Sequence, residues 1–143
     1  MRVLLIEDDY WLATLEADLL TAAGYNVYIA HSALEAIGYV DEVLPDVIIA
    51  DVLLAGSTIF TLLHELQSYH DTAGIPVVLC TSIAEHFSQK QLEMYGVVRV
   101  VDKTTMTADA LVVAVKYATA LEVLVSGDGE ASSESLALTT ESV

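Results

Sequence analysis

The chain has 143 residues, 55% of them hydrophobic, enough for one domain around one buried core and too few for two. Five Lys+Arg stand against twenty-one Asp+Glu, a net charge of −16, so the molecule repels nucleic-acid backbones and anionic lipid, and direct nucleic-acid binding is not expected. The lone Cys80 can form no internal disulfide and no segment reaches the ~18 apolar residues of a membrane span, so the expected setting is the reducing cytoplasm, with no membrane association.

In chain order, short apolar runs of strand length occur at Val3-Ile6, Val27-Ala30, Val47-Ala50, Val77-Cys80 and Val97-Val101. Between them the apolar residues take helical spacing. The first helix carries Trp11, Leu12, Leu15, Leu19 and Leu20; the second Leu34, Ile37 and Val40; the third Ile59, Leu62, Leu63 and Leu66. A fourth helix is predicted from Glu85 to Met94, and a fifth from Thr107 to about Val125, opened by Thr107 with Asp109 in its first turn. Gly24 and Gly96 close the first and fourth helices, and Pro45 and Pro76 precede the third and fourth strands.

Strands that are continuously apolar, rather than alternating, are buried on both faces, and right-handed crossovers then place helices on both sides of a parallel sheet. The fold class is therefore α/β, a doubly wound five-stranded parallel sheet built as (βα) five times. Residues 1–125 form this domain. Residues 126–143 are rich in Ser and acids with no basic residue, a composition that cannot offset its own ordering entropy, and are read as a disordered tail.

In such a sheet, ligands bind beyond the carboxyl ends of the strands. Here those ends carry Glu7-Asp8-Asp9, Asp51, Thr81-Ser82 and Asp102-Lys103. Converging carboxylates repel one another unless a cation sits among them, and an all-oxygen donor set selects a hard ion such as Mg²⁺. Lys103, one of so few basic residues, can pair with Asp51 at rest and with a phosphoryl oxygen afterwards. A carboxylate so placed can attack an acyl phosphate or phosphohistidine, and Thr81 can donate its hydroxyl to the phosphoryl group that results. Acids after the first strand also complement a helix dipole, and Asp51 alone could be an ordinary loop acid; the coincidence of all these ends favours a site.

The motifs Val3-Leu4-Leu5-Ile6-Glu7-Asp8-Asp9, Pro45-Asp46-Val47-Ile48-Ile49-Ala50-Asp51 with Gly56, Ile75-Pro76-Val77-Val78-Leu79-Cys80-Thr81, and Lys103 together resemble the receiver domains of bacterial response regulators, over roughly Met1 to Val125. The resemblance implies the flavodoxin-like receiver fold and the following roles. Asp51 is the phosphoacceptor. Glu7, Asp8, Asp51 and the backbone carbonyl of Leu53 hold Mg²⁺, with Asp9 outside that set. Thr81 is the switch hydroxyl and Lys103 the phosphate-contacting lysine. The partners implied are a histidine kinase or phosphotransfer protein upstream and a protein target downstream, and the molecule is a switch rather than an enzyme acting on other substrates.

Departures from the pattern are Thr104 in place of the proline after the lysine, Val100 where an aromatic rotamer usually reports the switch, Ala55 for proline, and Ile59 for glycine. They keep open a degenerate receiver acting as a constitutive adaptor. A metal-dependent aspartyl phosphohydrolase is disfavoured, since Leu53 stands where such enzymes carry a second Asp. In the family, the residues two after the acceptor and two after the switch hydroxyl flank the hydrolytic water; here they are Leu53 and Ile83, which implies slow self-dephosphorylation. With eighteen residues after position 125, no effector domain is expected, so the reading is a stand-alone receiver whose output is protein binding. His31, His64, His70 and His86 are read as surface or helix-end residues, Cys80 as an inert core residue, and Trp11 as core filling near the site. Apolar residues around the whole circumference of the fifth helix, from Leu111 to Val125, leave room for a homodimer or partner surface.

Overall fold

The structure, a computed structural model, describes residues 1–54, 57–83 and 86–127, with side chains described through residue 120, Ser57 excepted. Five parallel strands form the sheet: β1 (Arg2–Ile6), β2 (Asn26–Ala30), β3 (Val47–Ala50), β6 (Val77–Thr81) and β7 (Val97–Asp102), in the order β2-β1-β3-β6-β7. The helices are α1 (Tyr10–Ala22), α2 (Ala33–Val43), α3 (Phe60–Gln67), α4 (Gln89–Met94) and α5 (Ala110–Gly127). Two short strands, β4 (Leu53–Leu54) and β5 (Ser57–Thr58), pair antiparallel just beyond β3. The expected doubly wound architecture is present; the β4–β5 pair, two residues a side, was too short to leave a pattern in the sequence.

Alternate residues of each strand feed two separate cores. Leu4, Ile6, Ile48, Ala50 and Leu79 meet α2, α3 and α4 on one face, while Val3, Leu5, Val47, Ile49, Val78 and Cys80 meet α1 and α5 on the other. This two-sided burial is the physical reason the strands read as unbroken apolar runs.

Helix faces depart from the expectation. Trp11 is 76% exposed rather than in the core, and Leu15 and Leu34 are exposed as well. The buried face of α1 is Ala13, Glu16, Ala17 and Leu20. Small alanines let that helix lie close to the sheet, a fit that the larger apolar residues on the neighbouring face would prevent. On α3, in contrast, Ile59, Leu62, Leu63 and Leu66 are all buried as expected.

Helix α4 begins at Gln89, four residues later than predicted, because Ser88 and Gln91 form a reciprocal capping box there. Helix α5 begins at Ala110, since the Thr107 hydroxyl donates to the Asp109 carboxylate at 2.6 Å instead of capping the backbone. Leu111, Ala114, Val115 and Ala118 are its buried face and Val113 is exposed; the Arg99 guanidinium lies over the Tyr117 ring at 4.9 Å. Leu121 to Val125, also named in the homodimer expectation, lie outside the described side chains. Of the expected tail, residues 128–143 fall outside the described residues. Among the described residues no helix is long and apolar enough to cross a membrane.

Candidate functional site

Backbone hydrogen bonds gather the strand ends at one edge of the sheet. Asp51 N–H donates to Ile6 O at 3.3 Å, Glu7 N–H to Ala30 O at 2.9 Å, and Lys103 N–H to Thr81 O at 3.1 Å. The order β1-β3-β6-β7 thus brings Glu7, Asp51, Thr81 and Lys103, spread over almost a hundred residues of sequence, side by side.

Lys103 is the centre of the site. Its Nζ donates to Asp51 Oδ2 at 2.7 Å and also to Glu7 Oε1. Burial alone would lower the lysine's pKa, but hydrogen bonds to Asp51 and Glu7 outweigh it and hold the ammonium above its usual range. One cation serving two carboxylates leaves Glu7, the more deeply buried, underserved. Burial therefore raises the Glu7 carboxyl above the usual carboxylate range despite the lysine.

The loop carrying Lys103 has a local explanation. Asp102 Oδ1 accepts the Thr104 N–H at 2.9 Å and the Thr104 hydroxyl at 2.7 Å, while Asp102 O accepts from Met106 N at 2.9 Å. The two Thr104 bonds hold the Asp102 carboxyl below its ordinary range, the hydroxyl bond first. Threonine after the lysine therefore fixes the turn by hydrogen bonding, with trans peptides throughout the described residues.

Around this pair, Asp51 Oδ1 accepts the Leu53 N–H at 3.3 Å. Thr81 is fully buried, its oxygen accepting the Ile83 N–H at 3.3 Å, which leaves its O–H as a donor. Asp9 caps α1 by accepting Leu12 N–H at 3.0 Å. Ile83 packs against the core, Leu53 is half exposed and Val100 packs against the α4 side of the sheet.

Sequence reasoning missed two features. His31 Nδ1 lies 3.0 Å from Glu7 O and its ring stacks on Tyr10 at 3.7 Å between centroids, so the histidine read as a surface residue steadies the acidic loop. Glu16, hidden inside a helical apolar pattern, is a buried acid next to Cys80. Only its position one turn from Ala13 and Leu20 on the same face could have flagged it.

The donor set bears on a metal. Among the described residues no three acid, histidine or cysteine side chains close into a cage. Glu7 and Asp51 share Lys103, with Asp8 between Glu7 and the capping Asp9. Three carboxyl groups gathered around one ammonium form an acid-rich, all-oxygen donor set, which suits a divalent hard ion that uses few protein ligands and keeps water or phosphoryl oxygens for the rest.

The model of the response regulator receiver domain matches residues 3–116. The chain belongs to the response regulator receiver family. Its receiver is similar to part of the transcriptional regulatory protein BaeR of Escherichia coli, 32% identical over 88 residues covering 62% of this chain and 35% of that protein. It is also similar to the DNA-binding dual master transcriptional regulator RpaA of Synechocystis, at 31% over 84 residues, 59% of this chain and 35% of that one. The chain thus spans about a third of the length of these curated relatives. Among solved structures, a putative response regulator from Chloroflexus aurantiacus superposes with a TM-score of 0.74 at 28% identity, covering 83% of this chain and 97% of that one. A receiver domain protein from Clostridium thermocellum superposes at 0.76 with 22% identity, covering 87% and 98%, a likeness of fold.

Proposed function

We propose that this receiver is a working phosphorylation switch. Asp51 accepts a phosphoryl group from a histidine kinase or phosphotransfer protein, in a reaction that requires Mg²⁺, and the result is read by a protein partner. The observation that carries the reading is Lys103 bound to both Asp51 and Glu7 at the carboxyl edge of the sheet.

A carboxylate oxygen of Asp51 forms the new O–P bond as the P–N bond of a phosphohistidine, or the P–O bond of an acyl phosphate, breaks; the electron pair leaves with the donor. Lys103 orients the nucleophile before attack and neutralises the phosphoryl oxygens afterwards, so its charge acts on both sides of the step. Thr81, at the end of β6, supplies a hydroxyl donor that the phosphoryl group recruits. Glu7, Asp8, Asp51 and the Leu53 carbonyl are the residues that would hold Mg²⁺, which supplies charge neutralisation at the transferring phosphoryl oxygens when bound. Val100 cannot report the state by an aromatic flip, so output runs through the Thr81–Ile83 backbone link toward α4. Its likeness to transcriptional regulators raises DNA as an output, but the charge of −16 opposes direct contact by this chain.

Incubation with acetyl phosphate and Mg²⁺, read by intact mass, tests the proposal. Wild type is expected to gain one phosphoryl group, and Asp51→Asn none. No gain by wild type at any Mg²⁺ concentration would overturn the switch and favour the constitutive adaptor.

A further inference from the structure

Glu16 is a carboxylate in an apolar layer. It is 2% exposed, on the face of α1 that packs with Val3, Leu5, Val78 and Leu20 against the sheet. Its Oε2 accepts the Cys80 thiol at 3.6 Å, and its Oε1 has no hydrogen-bond partner. No salt bridge forms at it among the described residues. A single thiol donor does not compensate an ionised carboxylate in such surroundings.

Cys80, its hydrogen-bond partner, directly precedes Thr81 on β6 and is in register with Val101, two residues before Lys103, and the charged and titratable groups that act on Glu16 are few and specific. Glu7 comes from the end of β1, Asp51 from the end of β3, Cys80 from β6 and Lys103 from the turn after β7. Helix α5, which also packs in this layer, presents Leu111, Ala114, Val115 and Ala118, none of which titrates. Burial raises the Glu16 carboxyl to about 7, Glu7 and Asp51 adding to that and Lys103 and Cys80 opposing it. Cys80, itself pushed up first by burial and then by Glu16, stays a neutral donor. Apart from its Cys80 neighbour, then, the groups that set the protonation of Glu16 are members of the acceptor pocket.

We infer that Glu16 is a proton-release site linked to the Asp51 pocket, holding a proton while the pocket carries only its own charges and releasing it when a divalent cation enters. This rests on the Mg²⁺ requirement of the proposed function. The Glu16 O–H bond breaks, the carboxylate keeps the electron pair, and the proton passes to solvent as the cation's charge arrives. Linkage is reciprocal, so acidification weakens metal binding by the same factor. Each unit by which the cation lowers the Glu16 pKa makes its affinity up to about tenfold greater above neutrality than below it.

The test uses the full chain, wild type and Glu16→Gln, with Mg²⁺ as the ligand. Residue-resolved carboxyl ¹³C NMR of wild type is expected to place the Glu16 midpoint near neutrality without Mg²⁺ and at least about half a unit lower at saturation. Calorimetry at pH 7 in two buffers of different ionisation heat is expected to show more protons released by wild type than by Glu16→Gln. A metal-free midpoint in the ordinary carboxylate range, or an unchanged midpoint with Mg²⁺ bound, overturns this inference and leaves the proposed function standing; so does equal proton release by the two proteins. Absence of Mg²⁺ binding by wild type overturns both. If Glu16→Gln does not fold, the wild-type NMR titration decides alone.

Discussion

Glu16→Leu replaces a buried acid by an apolar side chain of similar size, and its effect on stability depends on pH in a way the structure fixes. In the unfolded chain the carboxyl ionises near 4.5; in the native protein burial first, then Glu7 and Asp51, hold it at about 7. Below 4.5 both states carry the proton and ionisation costs nothing. Between 4.5 and 7 the unfolded chain has released its proton and the native state has not, so wild-type stability falls as pH rises. Above 7 the cost is complete, and the difference of about 2.5 units corresponds to about 3 kcal/mol. The assay is urea unfolding of wild type and Glu16→Leu without Mg²⁺ from pH 4.5 to 8.5. Contributions of acids that do not interact with Glu16 cancel in the difference between the two proteins. Stabilisation by leucine is expected to grow by about 3 kcal/mol across that range and then level off. A difference that stays flat with pH, or shrinks as pH rises, would refute the account of Glu16 as a carboxyl held neutral by burial.

Other expectations follow from the site and its supports. Lys103→Met leaves Glu7, 2% exposed, with no cation, so it is expected to cost on the order of 3 kcal/mol in urea unfolding at pH 8 and to slow acetyl phosphate labelling by about a hundredfold. Because Leu53 and Ile83 cannot orient a water, the phosphoryl group on Asp51 is expected to persist for minutes or longer after excess donor is removed, and Leu53→Asn to shorten its life by roughly tenfold; mass spectrometry over time decides, and loss within seconds from wild type sinks the idea. Ser88→Ala removes the hydroxyl that accepts the Gln91 N–H in the α4 capping box, leaving the backbone N–H bond to Gln91 Oε1, and is expected to cost about 1 kcal/mol, with faster amide exchange confined to the first turn of that helix. Gly96→Ala meets a positive φ of 76° and would place a Cβ 2.7 Å from Gln67 Nε2, so a loss of more than about 1 kcal/mol is expected in thermal or urea unfolding.

The sheet and the polar edge where Glu7, Asp51, Thr81 and Lys103 gather were legible in the sequence for one reason. Each central strand buries both faces, so its apolar run is uninterrupted, and the first polar residue after the run marks the edge where ligands bind. Val47-Ile48-Ile49-Ala50 followed by Asp51 is the clearest instance. Helix α1 hid its orientation for the opposite reason. Trp11 and Leu15 supply hydrophobic signal from the solvent side, while Ala13 and Ala17 supply little from the core side and Glu16 supplies the wrong sign. Position 104 shows a further limit. Proline at that place in the family suggests a backbone constraint, and its absence suggests a looser loop, yet Asp102 meets the same need through Thr104. Hydrogen bonds between neighbouring side chains and backbone are not visible in hydrophobic periodicity. Neither is the stacking of Tyr10 on His31, which depends on residues twenty-one positions apart meeting above the acidic loop.

The place of β1 in the sheet has a consequence for synthesis. Arg2–Ile6 lies between β2 and β3, with Ile6 in register with Ala30 on one side and Ala50 on the other. A ribosome therefore makes this strand before either of the two strands that flank it. Until Val47–Ala50 has emerged, Val3-Leu4-Leu5-Ile6 keeps one open edge and apolar side chains on both faces, the features by which nascent chains stick to one another. Substitutions in this segment are thus felt twice, once in the finished fold and once in the fraction of chains that reach it. The start of the strand is more forgiving: Met1 is 51% exposed, and the Arg2 N–H bonds outward to the Asp46 carboxylate at 2.8 Å, so chain joined ahead of Met1 has an open path to solvent while removal of Arg2–Ile6 would part β2 from β3.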